Sequence, residues 1–497
     1  MALVVTMVVL MILATVSITA VLGEEGIIKK SKETRDEHAN SVIAEEEEMN
    51  IVYEQYANAM ATEPPEPEIY EDNVLPKKPK LAKGMIPVKY NNELQKWEKA
   101  ELSEKWYDYE NKEWANVVLE DATFNADKTL NENEPYTQLV WIPRYAYKIA
   151  SMYHTASTVS GDIQLAFIDT YNKDKNGVEY TRDSASEYPT ATIGTNTGMS
   201  DYIVHPAFDY GGTKLEGFWM GKFESSHTEC TTEVSTGQAT YTGSEVMTVR
   251  ANVTSWRNLS TGEVFAICLA MNSEDNVYGL SSNDSIVDPH MTKNSEWGAV
   301  AYLSQSAYGK NAEIWNNSNT SYITGMAGSS VDAVSEESTS VYNTVIGMEA
   351  STTGNVYGIY DLSGGNWERL ASYVNNGHEN LINAGDLVSG SMPAKYMDVY
   401  SSTVSDGSSA QDENYELVIP TNGKYGDAIY ETSSSAGSPW INSWYNDYSD
   451  FPDAEVPIFI RGGYNGSDSP AGLFCFDGTA GNASSTDGFR VVIPVLR

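Results

Sequence analysis

The chain has 497 residues, with 31 Lys and Arg against 69 Asp and Glu, a formal net charge of −38. That excess of acid excludes nucleic acid and anionic lipid as general partners, because both are bound through basic patches that neutralise phosphate. A hydrophobic fraction of 41% supplies a packed core and 32 tyrosines supply half-polar aromatic surface, whereas three scattered cysteines (Cys230, Cys268, Cys475) are too few for a disulfide scaffold or a Cys-based zinc site.

Residues 2–22, ALVVTMVVLMILATVSITAVL, carry no charge. As a helix they span about 31 Å, close to the roughly 30 Å of a bilayer core. The pattern predicts a single-pass membrane helix over residues 1–23, with the large domain outside the cell. The alternative is a cleaved signal peptide, for which a basic n-region and a small-x-small site are missing. Residues 24–61 are charged, with a loose apolar stripe at Ile28, Val42, Met49, Val52 and Tyr56, and predict a helical stalk. Prolines break residues 62–84 into an extended acidic linker. Residues 85–138 read as a small separate β element. From residue 139 onward, LVWIPRYAYKI (139–149), IQLAFIDTY (163–171), GFWMGKFESS (217–226) and PIFIRGGY (457–464) read as strands. Helical spacing is found over residues 255–274 and 293–309. Residues 372–450 are polar and read as a decorated insertion. The fold class is α+β.

The N-terminal apolar helix with its continuation GEEGIIKKSKE resembles the pilin-like helices of many Gram-positive surface proteins, without their glycine cleavage site and following glutamate. That resemblance implies self-association through the helix, and a filament subunit as one alternative role. Three later stretches resemble formylglycine-generating, sulfatase-modifying-type domains, in order. NSEWGAVAYL (294–303) resembles their TEAEWEYAAR helix, YGIYDLSGGNWERL (357–370) their GLYDMLGNVWEW motif, and the stretch from FIRGGY to GFRVVI (459–493) their closing RGGSW…GFR motif. The resemblance implies a C-type-lectin-like fold, two helices around short antiparallel sheets, over residues 139–497. It makes Asp361, Trp367, Arg461, Gly462, Gly463, Gly488, Phe489 and Arg490 fold-bearing. Trp297, Trp367 and Phe489 are then core anchors, and Arg461 and Arg490 pair with carboxylates such as Asp361 or Glu368.

The enzymes of that family bind copper through two cysteines, which soft Cu(I) requires. Here Cys475 matches the second position and nothing matches the first, so the expectation is no enzyme. The six histidines show no metal-binding spacing, and no nucleophile elbow or phosphate loop is present. Calcium is the one cofactor candidate. Asn172, Asp174, Asn176 and Asp183 loosely echo a calcium loop, which a hairpin turn over Lys175, Asn176 and Gly177 explains more cheaply. Related domains bind calcium beside the GNVWEW motif, which implies Glu368, although Gly365 replaces the asparagine.

Between the fold-bearing residues stand small polar groups: Tyr464, Asn465, Ser467, Asp468, Ser469, Asp477, Thr479, Asn482, Ser484, Ser485 and Thr486, with Trp444, Tyr445, Asn446 and Tyr448 as added anchors. Small polar groups and tyrosine on a fixed scaffold suit adaptable recognition. The stretch also resembles the closing segment of C-type-lectin-like targets of diversity-generating retroelements, RGGNWNNGSNAGVFAL…GFR, in which adenine mutation varies Asn-type codons. Tyr, Ser, Asp, Gly and Thr stand here where that template has Asn. The expectation is a membrane-anchored, surface-displayed, non-catalytic binding protein for an extracellular protein or glycan.

Overall fold

A computed structural model describes residues 76–150, 162–183, 198–328, 340–402, 415–419, 421–423, 425–433, 443–465 and 471–497. The predicted membrane helix, stalk and first part of the linker, residues 1–75, lie outside the described residues, as do Ser467, Asp468 and Ser469. Among the described residues no helix is long and apolar enough to cross a membrane. The described residues belong to one unit, Ile69–Arg497, and form an α+β structure of mostly small antiparallel sheets with few helices.

A seven-stranded antiparallel sheet runs in the order His290–Met291, Val491–Ile493, Gly217–Gly221, Gln138–Pro143, Asn116–Leu119, Met85–Asn91 and Lys96–Lys99. Its central strands QLVWIP, GFWMG and NVVL are buried at every position, as continuous apolar runs demand. Trp141 and Trp219 meet across it with ring centroids 5.2 Å apart. The edge strand KWEK exposes Lys96 and Lys99, charges that discourage further pairing. Residues 85–138 are therefore not a separate element: Asn116–Leu119 hydrogen-bonds Gln138–Pro143 directly, and no boundary falls at 138. The end of the predicted linker is packed as well. The Trp219 indole donates to the Lys80 carbonyl at 2.8 Å, and Lys77 is buried beside Glu110.

The strand predicted over residues 139–149 breaks at Arg144. The buried Arg144 guanidinium donates to the Phe208 carbonyl and to Asn172 Oδ1. Beyond it, Tyr145–Ile149 joins a different sheet with Ile163–Phe167 and Ile203–Val204.

The second large sheet is centred on Trp367–Val374. On one side it pairs antiparallel with Ile458–Gly462, which pairs with Gly472–Thr479. On the other it runs parallel to Asp487–Phe489 at its start and to Asp398–Ser402 at its end. Tyr415–Ile419 and Thr421–Gly423 extend it further. Residues 372–450 are thus more than decoration, since Asp398–Ser402 is a structural strand and Asp427 and Glu431 are core residues.

Two α-helices lie inside the predicted ranges. In α1, Thr261–Leu269, the start is fixed by a Ser260–Glu263 capping box. Asn258, in a left-handed turn at φ 64°, keeps the six residues before Thr261 out of the helix. In α2, Asn294–Ser304, every residue is buried, and the Glu296 carboxylate reaches back to the Lys293 amide at 3.0 Å.

Candidate functional site

The fold-bearing residues form a buried frame. Arg490 is enclosed with Glu368. Its Nε and Nη2 donate to the two Glu368 oxygens at 3.1 and 2.5 Å, and it also reaches the Gly221 and Tyr360 carbonyls. That bidentate pairing engages both Glu368 oxygens, and the side chain has no exposure. Arg461 departs from expectation. Among the described residues it meets carbonyls rather than a carboxylate: Cys475 at 2.8 Å and Asp427 and Ala428 at 3.0 Å, over the Trp297 ring. Burial pushes its pKa down to about 10. Asp361 accepts from Asn317 Nδ2 and the Gly325 amide, and burial holds its pKa above the usual carboxylate range. Gly463 adopts φ 76°, and a Cβ there would lie 2.6 Å from that of Ala471, so only glycine closes this turn. Gly488 and Phe489 are buried against the central strand.

Strand alternation separates this frame from the opposite face of the sheet, where Arg369, Ile460, Trp367 and Cys475 are themselves buried and Asp477 and Thr479 half-buried. The register aligns Arg369, Ile460 and Asp477 in one row across the sheet. Beside them Trp367, Ile460 and Cys475 form a cluster, with half-buried Tyr448 and Tyr464 packed on it. The Trp367 and Tyr448 rings meet edge-on at 6.4 Å. Burial, then the nearby Asp450, Asp453 and Asp487 charges, push Asp477 up to about 7. Asp450 is pushed up to about 6, by burial and then by Asp453. Thr479 Oγ1 accepts from the Gly481 amide. Asn482 and Ser485 are exposed, while their carbonyls fix Arg369 and Arg257. Ser484 and Thr486 hydroxyls both donate to Asp487 Oδ1, and Asp487 holds Arg369 at 2.9 Å.

The structure thus brings Tyr464, Asp477, Thr479, Asn482, Ser484, Ser485 and Thr486 to one side of the second sheet. It places others elsewhere. Asn465 is buried, its Nδ2 donating to the Asn319 carbonyl at 2.6 Å, which makes it a loop fastener. Trp444 is fully buried against Phe474, 5.0 Å between centroids, so it is a core residue rather than a surface anchor. Tyr445 follows it, its hydroxyl on Gln305 and its ring tilted on Phe474, whose side chain projects opposite to Cys475. Asn446 occupies the same left-handed turn, at φ 60°. Sequence reasoning missed Ile460, Asp450 and Arg369, and placed Trp367 in the core alone. The alternation of the 458–462 and 472–479 strands carries that signal once their register is known.

The calcium-like loop is a turn closed on itself. Asp174 Oδ1 accepts the Asn176 and Val178 amides at 2.9 Å, and Asp183 Oδ2 takes Asn172 Nδ2 and Lys214 Nζ. Among the described residues no group of three or more His, Cys, Asp or Glu is arranged to hold a metal. All three cysteines are free and buried, and burial pushes the Cys475 thiol well above its ordinary range, as an unreactive core thiol.

No protein-family model and no curated protein matches the chain. Among solved structures it is similar to Treponema denticola variable protein 1, at 14% identity and a TM-score of 0.24 over 61% of this chain and 92% of that one. It is also similar to the I1 variant of Major Tropism Determinant, at 10% identity and a TM-score of 0.22 over 84% of this chain and 96% of that one.

Proposed function

We propose that the chain is a surface-displayed, non-catalytic binding protein of C-type-lectin-like fold, anchored through residues 2–22. Its outer face on the second sheet recognises an extracellular protein or glycan, and the closing stretch is hypervariable. One observation carries the reading: a single stretch alternates between a locked frame and exposed small polar side chains. Arg461, Gly463, Gly488, Phe489 and Arg490 are buried. Asn482 and Ser485 between them are exposed, and Tyr464, Asp477, Thr479, Ser484 and Thr486 are half-buried. Such a division lets side chains on the face change without cost to the core. Recognition then proceeds by hydrogen bonds and aromatic contact on a pre-organised scaffold. The resemblance of the closing motif to retroelement targets supports the same division.

Sequencing the last hundred or so codons across a natural population of the source organism tests it. Substitutions concentrated at Tyr464, Asp477, Thr479, Asn482, Ser484 and Ser485, with Arg461, Gly463, Phe489 and Arg490 fixed, are the expected result. An invariant stretch, or substitutions spread equally over frame and face, overturns hypervariability and favours a fixed ligand.

A further inference from the structure

Behind the frame lies a buried carboxylate that belongs to no part of the recognition face. Glu431 is fully enclosed. Its Oε1 accepts from Tyr147 of the Tyr145–Ile149 strand at 2.5 Å, and its Oε2 accepts from Tyr302 of α2 and from the Gly426 amide. One side chain therefore ties three separate pieces of chain together. The piece it belongs to, residues 425–433, matters to its surroundings. Asp427 and Ala428 carbonyls hold Arg461, and the Thr432 carbonyl accepts from the Trp444 amide and the Ser443 hydroxyl, where the chain turns toward Tyr448 and Asp450.

Among the described residues no cation pairs with Glu431; the Arg461 guanidinium is engaged by the Asp427 and Ala428 carbonyls of the same segment. From the strand come the phenols of Tyr147 and Tyr145, and from α2 that of Tyr302. His205, stacked beside Tyr147 and Tyr302, is neutral because burial pushes it down to about 3. From its own segment come Tyr425 and the like charge of Asp427. Burial thus pushes Glu431 up to about 8, against three hydrogen bonds that favour the anion.

We propose that Glu431 is a proton-held latch: neutral, with its own proton donated to one of the two phenol oxygens in a reversed hydrogen bond, it fastens residues 425–433 to the Tyr145–Ile149 strand and to α2, and its deprotonation buries an unpaired charge that loosens that segment. The sign follows from linkage. The closed form binds the proton more tightly than the open form, whose carboxyl titrates near 4.5. Closure is complete below that pH and weakens as pH rises through the folded value. One released proton changes the opening constant about tenfold per pH unit, and the change stops once the closed form is also ionised.

Hydrogen exchange of the full chain in detergent, corrected for the intrinsic pH dependence of exchange, reads this opening. Between pH 5 and 9 the opening constant of residues 425–433 is expected to rise about tenfold per unit and to level off near pH 8, while α1 does not follow it. Glu431→Gln, which cannot ionise, is expected to flatten the profile. If that variant does not fold, Tyr302→Phe removes one donor to the anion and moves the plateau to higher pH. A wild-type profile that is flat, or a slope that survives Glu431→Gln, or a plateau that Tyr302→Phe leaves in place, overturns the latch.

Discussion

At the scale of single residues, Glu368 and Arg490 show why a residue type alone does not define a site. A glutamate beside a tryptophan in a motif of known relatives implied a cation ligand. The ligand it holds is a guanidinium, at full burial and with both oxygens engaged. Removing the charge from one partner leaves the other buried and uncompensated, which costs about 3–5 kcal/mol. Glu368→Gln is therefore expected to lose roughly that amount in urea unfolding. The double change Glu368→Gln with Arg490→Met is expected to lose more than the single one, because Asp361 loses the Arg490 charge that favours its anion and the Gly221 and Tyr360 carbonyls lose their donor. Equal losses for the single and double variants would mean that Arg490 contributes nothing beyond its pair with Glu368. The frame arginines were legible as buried residues from their apolar neighbours. The Glu368 partner of Arg490 was legible too, whereas those of Arg461 were not, because it is satisfied by carbonyls that arrive from residues 427, 428 and 475, which no local pattern connects.

At the scale of elements, periodicity located both helices and failed at their ends. The predicted range 255–274 includes Ser260, whose capping role was hidden inside an apparently continuous apolar stripe. The strands were found as apolar runs, yet the run over residues 139–149 serves two sheets, because a buried arginine turns the chain in its middle. Trp444 reads in the sequence as an added aromatic anchor, although burial at that position is decided by Phe474 on another strand. Helix propensity and tertiary packing also conflict openly in α2. Gly298 lies mid-helix, where alanine is favoured by about 1 kcal/mol. A Cβ there would lie 2.1 Å from the Gly426 carbonyl oxygen, a backbone atom that cannot swing aside. Gly298→Ala is therefore expected to lower the melting temperature by several degrees, equivalent to a net loss of about 1–3 kcal/mol. A rise in melting temperature would mean that the helix and residues 425–433 separate at little cost.

At the scale of the whole molecule, the charge of −38 and the buried carboxylates act in the same direction. Asp121, Asp398 and Asp450 are each pushed up to about 6, Asp477 to about 7 and Glu431 to about 8, with burial the leading cause in every case. Each of these groups binds its proton more tightly folded than unfolded. Each therefore contributes stability that is present near pH 4 and lost as pH rises toward 8. Self-repulsion among surface carboxylates grows over the same interval. A smaller set opposes them, and so does His205, whose depressed folded value withdraws stability as pH falls below about 6.5. Glu104, Asp127, Glu245 and Glu296 are held below their ordinary values by hydrogen bonds or nearby cations, and their contribution is lost only as pH falls through the acid range. The two sets place the stability maximum on the acid side of neutrality, near pH 5. The urea midpoint is accordingly expected to be higher at pH 5 than at pH 8. Added salt is expected to narrow the gap only in part, because it screens the exposed charges and leaves the buried carboxylates almost untouched. A gap that closes completely in salt would assign the whole effect to surface repulsion, and a midpoint that rises with pH would contradict both contributions.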